Sequence, residues 1–266
     1  VAVADVSTVL RDLDAESQDV DALVADLDSG EWARPTPAEG WTIAHQIAHL
    51  SWTDGKALLA VRTPERFPDE ITIALERGGA HVDDGAADGA ALPPAEVLDT
   101  WRRRRAELGA ALADAPAGAR LPWYGPPMSV ASMASARLME TWAHGQDVAD
   151  ALGVVRVPTG RLWHVARLGV RTRDFAFAVH GLAAPESEFR IELAAPGGGT
   201  WAFGPEDAAQ RVTGAAHDFC LLVTQRIHRA DTDLTATGDD AAHWLTLAQA
   251  FAGMPGPGRE PSGRTS

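Results

Sequence analysis

What most limits the folds open to this chain is the spacing of its apolar residues ahead of residue 155. Between Val3 and Leu27, the side chains Val6, Leu10, Leu13, Val20, Leu23 and Leu27 recur at steps of three, four or seven. That period places them on one stripe of an α-helix, and such a stripe must be buried against another element. The pattern returns three more times. Ile43, Ile47, Leu50 and Leu58 follow Thr42, a residue suited to cap a helix start. Val97, Leu98, Trp101, Leu108 and Leu112 follow Ala95, and a last run from Ser129 to Leu152 stops at Gly153. Four stripes satisfy one another by packing side by side, so the expectation is a four-helix bundle. Pro35-Thr36-Pro37 reads as a turn, residues 69–77 as a minor helix, and the Gly/Ala/Asp-rich stretch 78–94 as a loop. Leu121 to Pro127, with three prolines and a glycine, reads as a connection.

After Val157-Pro158-Thr159-Gly160 the pattern changes. Residues 160–182 keep a helical period, but Phe189-Arg190-Ile191-Glu192-Leu193 alternates apolar and polar, the period of a half-buried strand. Trp201-Ala202-Phe203 can pair with it across the Pro196-Gly197-Gly198-Gly199 turn. A helix is expected from about His217 to Arg229, a strand over Leu234 to Thr237, and a helix from about Asp239 to Ala252. The whole reads as an α+β chain: a bundle over residues 1–155, a smaller α/β domain over 156–254, and a disordered tail over 255–266, rich in Pro, Gly, Ser and Arg.

Composition narrows the partners. Lys plus Arg number 23 against 37 Asp plus Glu, a net charge of −14. Nucleic-acid binders need the opposite balance. Arg102 to Arg105, the one basic run, reads as solvated surface. No apolar stretch reaches the roughly 18 residues a membrane span requires, and Val1 to Leu10 lacks the basic and apolar regions of a signal peptide. The single cysteine, Cys220, excludes a disulfide framework and reads as core filling within Phe219 to Val223. A cytoplasmic protein with a small-molecule substrate is expected; the sequence specifies no oligomeric state.

Chemistry concentrates in two helices. Glu140 and His144 are four apart and so about 40° apart around a helix axis. His45 and His49 are also four apart, and His49 fits the apolar register better. His49, Glu140 and His144 together make an N/N/O set suited to zinc or another divalent transition metal, with a coordination position to spare. Spacing alone favours a surface ion pair and a hydrogen-bonded core histidine over a metal site, since i,i+4 pairs are common. The nearly all-apolar helix around Glu140 favours a buried carboxylate, which needs a cation or donor. Asp147 could orient a ligand or accept a proton. Trp52 and Trp142 line a pocket or fill the core, and His81, His164, His180, His217 and His243 share no register.

The stretch Gly40-Trp41-Thr42-Ile43-Ala44-His45-Gln46-Ile47-Ala48-His49-Leu50 resembles the metal-binding helix of the DinB-like superfamily. The similarity is greatest to the branch of mycothiol-dependent maleylpyruvate isomerase, whose second metal motif resembles Glu140-x-x-x-His144-x-x-Asp147. A subgroup of it is labelled "wyosine base formation", implying tRNA, which the acidic charge opposes. The resemblance implies a DinB-like bundle followed by a sterol-carrier-like α/β domain, with His49, Glu140 and His144 as metal ligands. It further implies zinc lowering the pKa of a thiol cosubstrate, mycothiol, which attacks an unsaturated electrophile in an isomerase or S-transferase reaction. An arginine of the second domain would hold a substrate carboxylate. Arg229 is the nearest match, preceded by His228 where relatives carry glycine, and Arg226 is its rival. Two other readings remain: a thiol-independent Lewis-acid enzyme of secondary metabolism, and a non-catalytic metal- or lipid-binding protein.

Overall fold

The computed structural model describes residues 5–253, 255–256 and 258–262. They form two compact units that divide between Arg156 and Val157. The first holds α1 (Val6–Val24), α2 (Ser29–Trp32), α3 (Ile43–Arg62), α4 (Phe67–Arg77), α5 (Ala80–Ala90), α6 (Pro94–Asp114), a two-stranded β1–β2 ribbon (Arg120–Leu121, Met128–Ser129) and α7 (Val130–Leu152). Helices α1, α3, α6 and α7 pack as the bundle: α3 lies on α6 and α7, and α1 on α7 and α6. Local chemistry sets their ends. Asp5 accepts from the Thr8 amide at the start of α1, and Ser129 accepts from the Ser132 amide at the start of α7. Gly153 takes a left-handed φ of 70° that closes α7.

Two expectations for this unit need correction. The stretch 78–94 is a helix over Ala80–Ala90 rather than a loop. Its glycines serve close packing instead of turning: a Cβ on Gly85 would lie 2.5 Å from Trp52 Nε1, and one on Gly89 2.8 Å from Ala48 Cβ. The arginine run is not simply solvated. Arg102 and Arg105 both grip Asp21 of α1 at 2.6–2.8 Å, Arg105 lies over the Trp101 ring, and Arg104 donates to the Ser51 carbonyl of α3 at 3.2 Å. Hydrogen bonding to Arg102, with the charge of both arginines, holds the Asp21 carboxyl below its usual range despite the burial that opposes it.

Apolar clusters occupy the two ends of the bundle. One joins Val20, Val24, Ile43, Ile47, Trp101 and Val148; the other joins Val9, Ala57, Phe67, Leu108, Leu112 and Met133. Between these clusters α3 and α7 carry a group of polar residues, His49, Thr53 and Asp54 on one helix and Arg137, Glu140, Thr141 and His144 on the other, alongside the buried Leu138, Met139 and Trp142. Arg137 donates to Asp54 at 2.9 Å, and Arg137 is only 2% exposed.

The second unit places β3 (Phe189–Ala194), β4 (Thr200–Phe203), β5 (Gln210–Ala215) and β6 (Thr235–Thr237) in one sheet of order β4-β3-β5-β6. The hairpin aligns Ile191 with Phe203 and Leu193 with Trp201, while β5 runs parallel to β3. Strand β5 is absent from the sequence expectation because Gln210-Arg211-Val212-Thr213-Gly214-Ala215 carries one large apolar residue, Val212. The helix expected over 160–182 is two, α8 (Leu162–Arg171) and α9 (Arg173–Val179), broken where the Thr172 hydroxyl reaches the Gln249 carbonyl at 2.6 Å. The helix expected to reach Arg229 is α10, Ala216–Val223, and is followed by Gln225 at φ 61°. Arg229 therefore opens a short turn, Arg229–Asp231. The last helix, α11, ends at Leu247 rather than near Ala252. The tail expectation falls partly outside the described residues; within them, Ser262 donates to Asp231 through its amide and hydroxyl at 2.8 and 2.6 Å.

Candidate metal centre

Helix α3 starts on a reciprocal cap: the Thr42 hydroxyl and His45 Nδ1 lie 2.8 Å apart, and the Thr42 amide donates to the same ring nitrogen at 3.3 Å. His45 is thereby spent on the helix end. One turn later His49 points inward and is 6% exposed. Across the bundle, α7 presents Glu140 and His144 one above the other. Glu140 Oε2 lies 3.3 Å from His49 Nε2 and 3.2 Å from His144 Nε2, and the two imidazole centroids are 4.4 Å apart. One ligand-type atom from each of the three residues lies within 4.8 Å of the others.

The donor set fits a divalent transition metal. Burial opposes the charge on Glu140, but hydrogen bonds and charge from His144 and His49 outweigh it and hold the carboxyl well below its usual range. The site thus contains an ionised, half-buried oxygen between two imidazoles, a charge that a cation balances. His49 Nδ1 is buried without a hydrogen-bond partner. Two imidazole nitrogens and one carboxylate oxygen suit zinc and its neighbours, and three protein ligands leave room for an exogenous one.

The surroundings contain residues that the motif quotes without assigning a role. Trp41, in the loop before α3, stacks on His144 at 5.9 Å and 19° and lies 5.2 Å from His49. Its Nε1 donates to Asp83 of α5 at 3.2 Å. Gln46, fully buried, places Oε1 2.5 Å from His144 Nδ1. The available signal was a polar residue one turn before His49, next to His45 and between the apolar pairs Ile43-Ala44 and Ile47-Ala48. Asp147 is also fully buried, with Oδ2 3.9 Å from the same Nδ1, the ring nitrogen that faces away from Glu140. On the other flank Trp52 stacks on His49 at 6.4 Å, whereas Trp142 is core, its carbonyl held by Arg156.

Beyond Trp52 lies a second polar hub that no sequence register indicated. Glu70 of α4 accepts from Lys56 of α3 at 2.5 Å, His81 of α5 at 2.8 Å and Tyr124 at 2.7 Å. Burial pushes the Glu70 carboxyl up, but these bonds and the Lys56 charge bring it below the ordinary value. His81 also meets the Trp52 ring edge-on at 5.0 Å, and Lys56 lies over that ring at 4.9 Å. In the second unit, Arg229 donates to the Thr232 hydroxyl at 2.8 Å and the Leu234 carbonyl at 2.6 Å, and Arg226 to the Thr224 carbonyl at 2.5 Å. Cys220 is buried, and burial pushes its thiol well up, as suits a residue that fills the core.

These features define a helix-bundle protein whose interior carries a His/Glu/His set able to hold a divalent cation. By sequence, the chain belongs to the family of the mycothiol maleylpyruvate isomerase N-terminal domain, whose model matches residues 13–149. Residues 185–237 match a second model, described as wyosine base formation. Two uncharacterized proteins from two strains of Mycobacterium tuberculosis are each 57% identical over 257 residues, covering 97% of this chain and 100% of the relative. The fold is that of the crystal structure of the mycothiol-dependent maleylpyruvate isomerase, at TM-score 0.59 and 16% identity over 87% of this chain and 92% of that one. A histidine-to-alanine mutant of that enzyme matches equally. Among the described residues no helix is long and apolar enough to cross a membrane.

Proposed function

We propose that this chain is a divalent-metal-dependent enzyme that uses a low-molecular-weight thiol, mycothiol or a close analogue, to transform a small unsaturated substrate bearing a carboxylate. The observation that carries the reading is the convergence of His49, Glu140 and His144 in the interior of the bundle. The family relation supports the thiol, and a chain whose one cysteine is buried must take its sulfur from a cosubstrate.

In this reading His49, Glu140 and His144 are the metal ligands, and zinc is the first candidate. When bound, the cation supplies Lewis acidity that lowers the pKa of a thiol beside it. Glu140 contributes the single negative charge, so the loaded site keeps a net positive charge that favours thiolate over thiol. Trp41 and Trp52 flank the imidazoles and limit the water around them, which strengthens each electrostatic interaction. The thiolate adds to an alkene carbon conjugated to a carbonyl: a C–S bond forms and the π pair moves onto the carbonyl oxygen. Rotation about the resulting single bond and expulsion of the thiolate give the isomer; protonation of the adduct gives S-transfer. Asp147 acts through His144, by holding the Nδ1 side of its ring. The carboxylate-holding role of Arg229 stands on the family resemblance.

Elemental analysis tests the core of this reading. Purified protein should carry about one divalent metal per chain, lost in Glu140→Ala, and titration with mycothiol should release heat and raise the melting temperature. Absence of metal overturns the reading. Metal without any response to mycothiol replaces it with thiol-independent Lewis-acid chemistry at the same residues. If turnover is found, Arg229→Ala should raise KM far more than it lowers kcat.

A further inference from the structure

We infer that Gln46 is a positioning residue that presets His144 as a ligand through its Nε2, before any cation arrives, and ties that ring to the loop carrying Trp41. The inference rests on the metal reading above but is drawn from hydrogen bonds that exist without the metal. The Thr36 hydroxyl donates to the Trp41 carbonyl at 2.9 Å. A hydroxyl has one proton, so with that proton committed Thr36 Oγ1 can only accept from its other neighbour. That neighbour is the Gln46 side chain, 2.8 Å away. The amide nitrogen must therefore face Thr36, and the amide oxygen must face His144 Nδ1 at 2.5 Å. An amide oxygen cannot donate, so Nδ1 carries a proton. The Asp147 carboxylate, 3.9 Å from the same nitrogen, favours a proton there as well.

The consequence lies on the other side of the ring. With Nδ1 committed to Gln46, Nε2 is the nitrogen turned to Glu140 Oε2, at 3.2 Å; without a cation a proton between these two atoms makes their hydrogen bond, and a cation would take that proton's place while Nδ1 keeps its own. Gln46 and Thr36 are both buried, at 0% and 9% exposure, so water does not readily replace either bond. The relay runs in one sense, from His144 through Gln46 and Thr36 to the Trp41 carbonyl, while the Trp41 ring stacks on the same histidine. His144 is thus held from behind by the relay and in front by the ring at the end of it. Partners of this kind fix both tautomer and ring angle of a ligating histidine.

The test compares Gln46→Leu, which removes the acceptor, with Gln46→Glu, which keeps an acceptor for Nδ1–H. Long-range proton–nitrogen NMR on metal-free protein with labelled histidine, with His144 assigned by its loss in His144→Ala, reads the tautomer directly. Wild type and Gln46→Glu should show a proton on Nδ1, and Gln46→Leu should lose it and keep only the proton shared between Nε2 and Glu140. Competition titration with Zn2+ and Co2+ should show binding weakened about 10–100-fold in Gln46→Leu and within a few-fold of wild type in Gln46→Glu. An Nε2–H tautomer in wild type, or Gln46→Leu with unchanged tautomer and affinity, overturns the inference. If Gln46→Leu does not fold, Thr36→Val frees the amide to rotate and should move both readouts the same way; no change in either overturns it. Wild-type protein that binds no metal overturns the metal reading alone, because the tautomer measurement still decides the role of Gln46.

Discussion

Replacing Arg137 with methionine should damage both the bundle and the site. Arg137 lies three residues before Glu140 on α7, and Asp54 five residues after His49 on α3, so their ion pair joins the two helices beside the ligands. At 2.9 Å and the effective dielectric of about 20 that suits protein interiors, the attraction is roughly 6 kcal/mol. Desolvation of two buried charges offsets much of it, and Arg137 Nη2 has no partner. Removing one member of such a pair nevertheless costs about 3–5 kcal/mol, because the other is left buried and unpaired. Burial already pushes the Asp54 carboxyl up, against the pull of Arg137. In Arg137→Met it rises further and the group takes a proton. An acid raised in the folded state favours folding at low pH and loses that contribution as pH climbs through its folded pKa. The cost of Arg137→Met should therefore be small near pH 5 and large near pH 8. Urea melts followed by helical circular dichroism at both values would measure it, with metal affinity weakened in parallel. Asp54→Leu combined with Arg137→Met should recover most of the stability, since it leaves no orphaned charge. If Arg137→Met lies within about 1 kcal/mol of wild type at pH 8 and no worse than the double variant, the pair does not brace the site in the way described.

Glu70→Gln should destabilise at neutral pH by about 1–3 kcal/mol, the cost of a charge-assisted hydrogen-bond hub. Because the folded carboxyl titrates below its unfolded value, that contribution is present above the ordinary carboxylate pKa and lost as pH falls through the folded one; melting curves of wild type and variant should converge in acid. Gly85→Ala should cost about 1–3 kcal/mol through overlap with Trp52 and should shift tryptophan emission. Gly109→Ala, in α6 with open space at its Cβ, should instead stabilise by about 0.5–1 kcal/mol. If Gly85→Ala stabilised the protein as much as Gly109→Ala, the close-packing account of α5 would be refuted.

How much of this could be read from the chain alone differs between its parts. Long-period patterns were legible: the stripe from Val6 to Leu27, the run closed by Gly153, and the alternation at Phe189–Leu193 each impose a local geometry that needs no partner to recognise. His49, Glu140 and His144 were legible as candidates, because four-residue spacing puts Glu140 and His144 on one side of a helix and apolar neighbours mark His49 as inward. Helix α5 was not legible, since glycine reads as a breaker until Trp52 and Ala48 are seen pressed against Gly85 and Gly89. Strand β5 was not either, because its place beside β3 comes from a ladder with residues some twenty positions earlier.

The sequence by itself determined which residues can be helical, which can be buried and which could ligate a metal, because these follow from composition and period along a single element. Only the tertiary structure decided which of them meet. It turned His45 to its own helix end and His49 to Glu140, joined Glu70 to three donors from separate elements, and set Gln46 behind His144 across 98 residues of chain. Such contacts depend on how helices lie beside one another, which the spacing within any one helix does not encode.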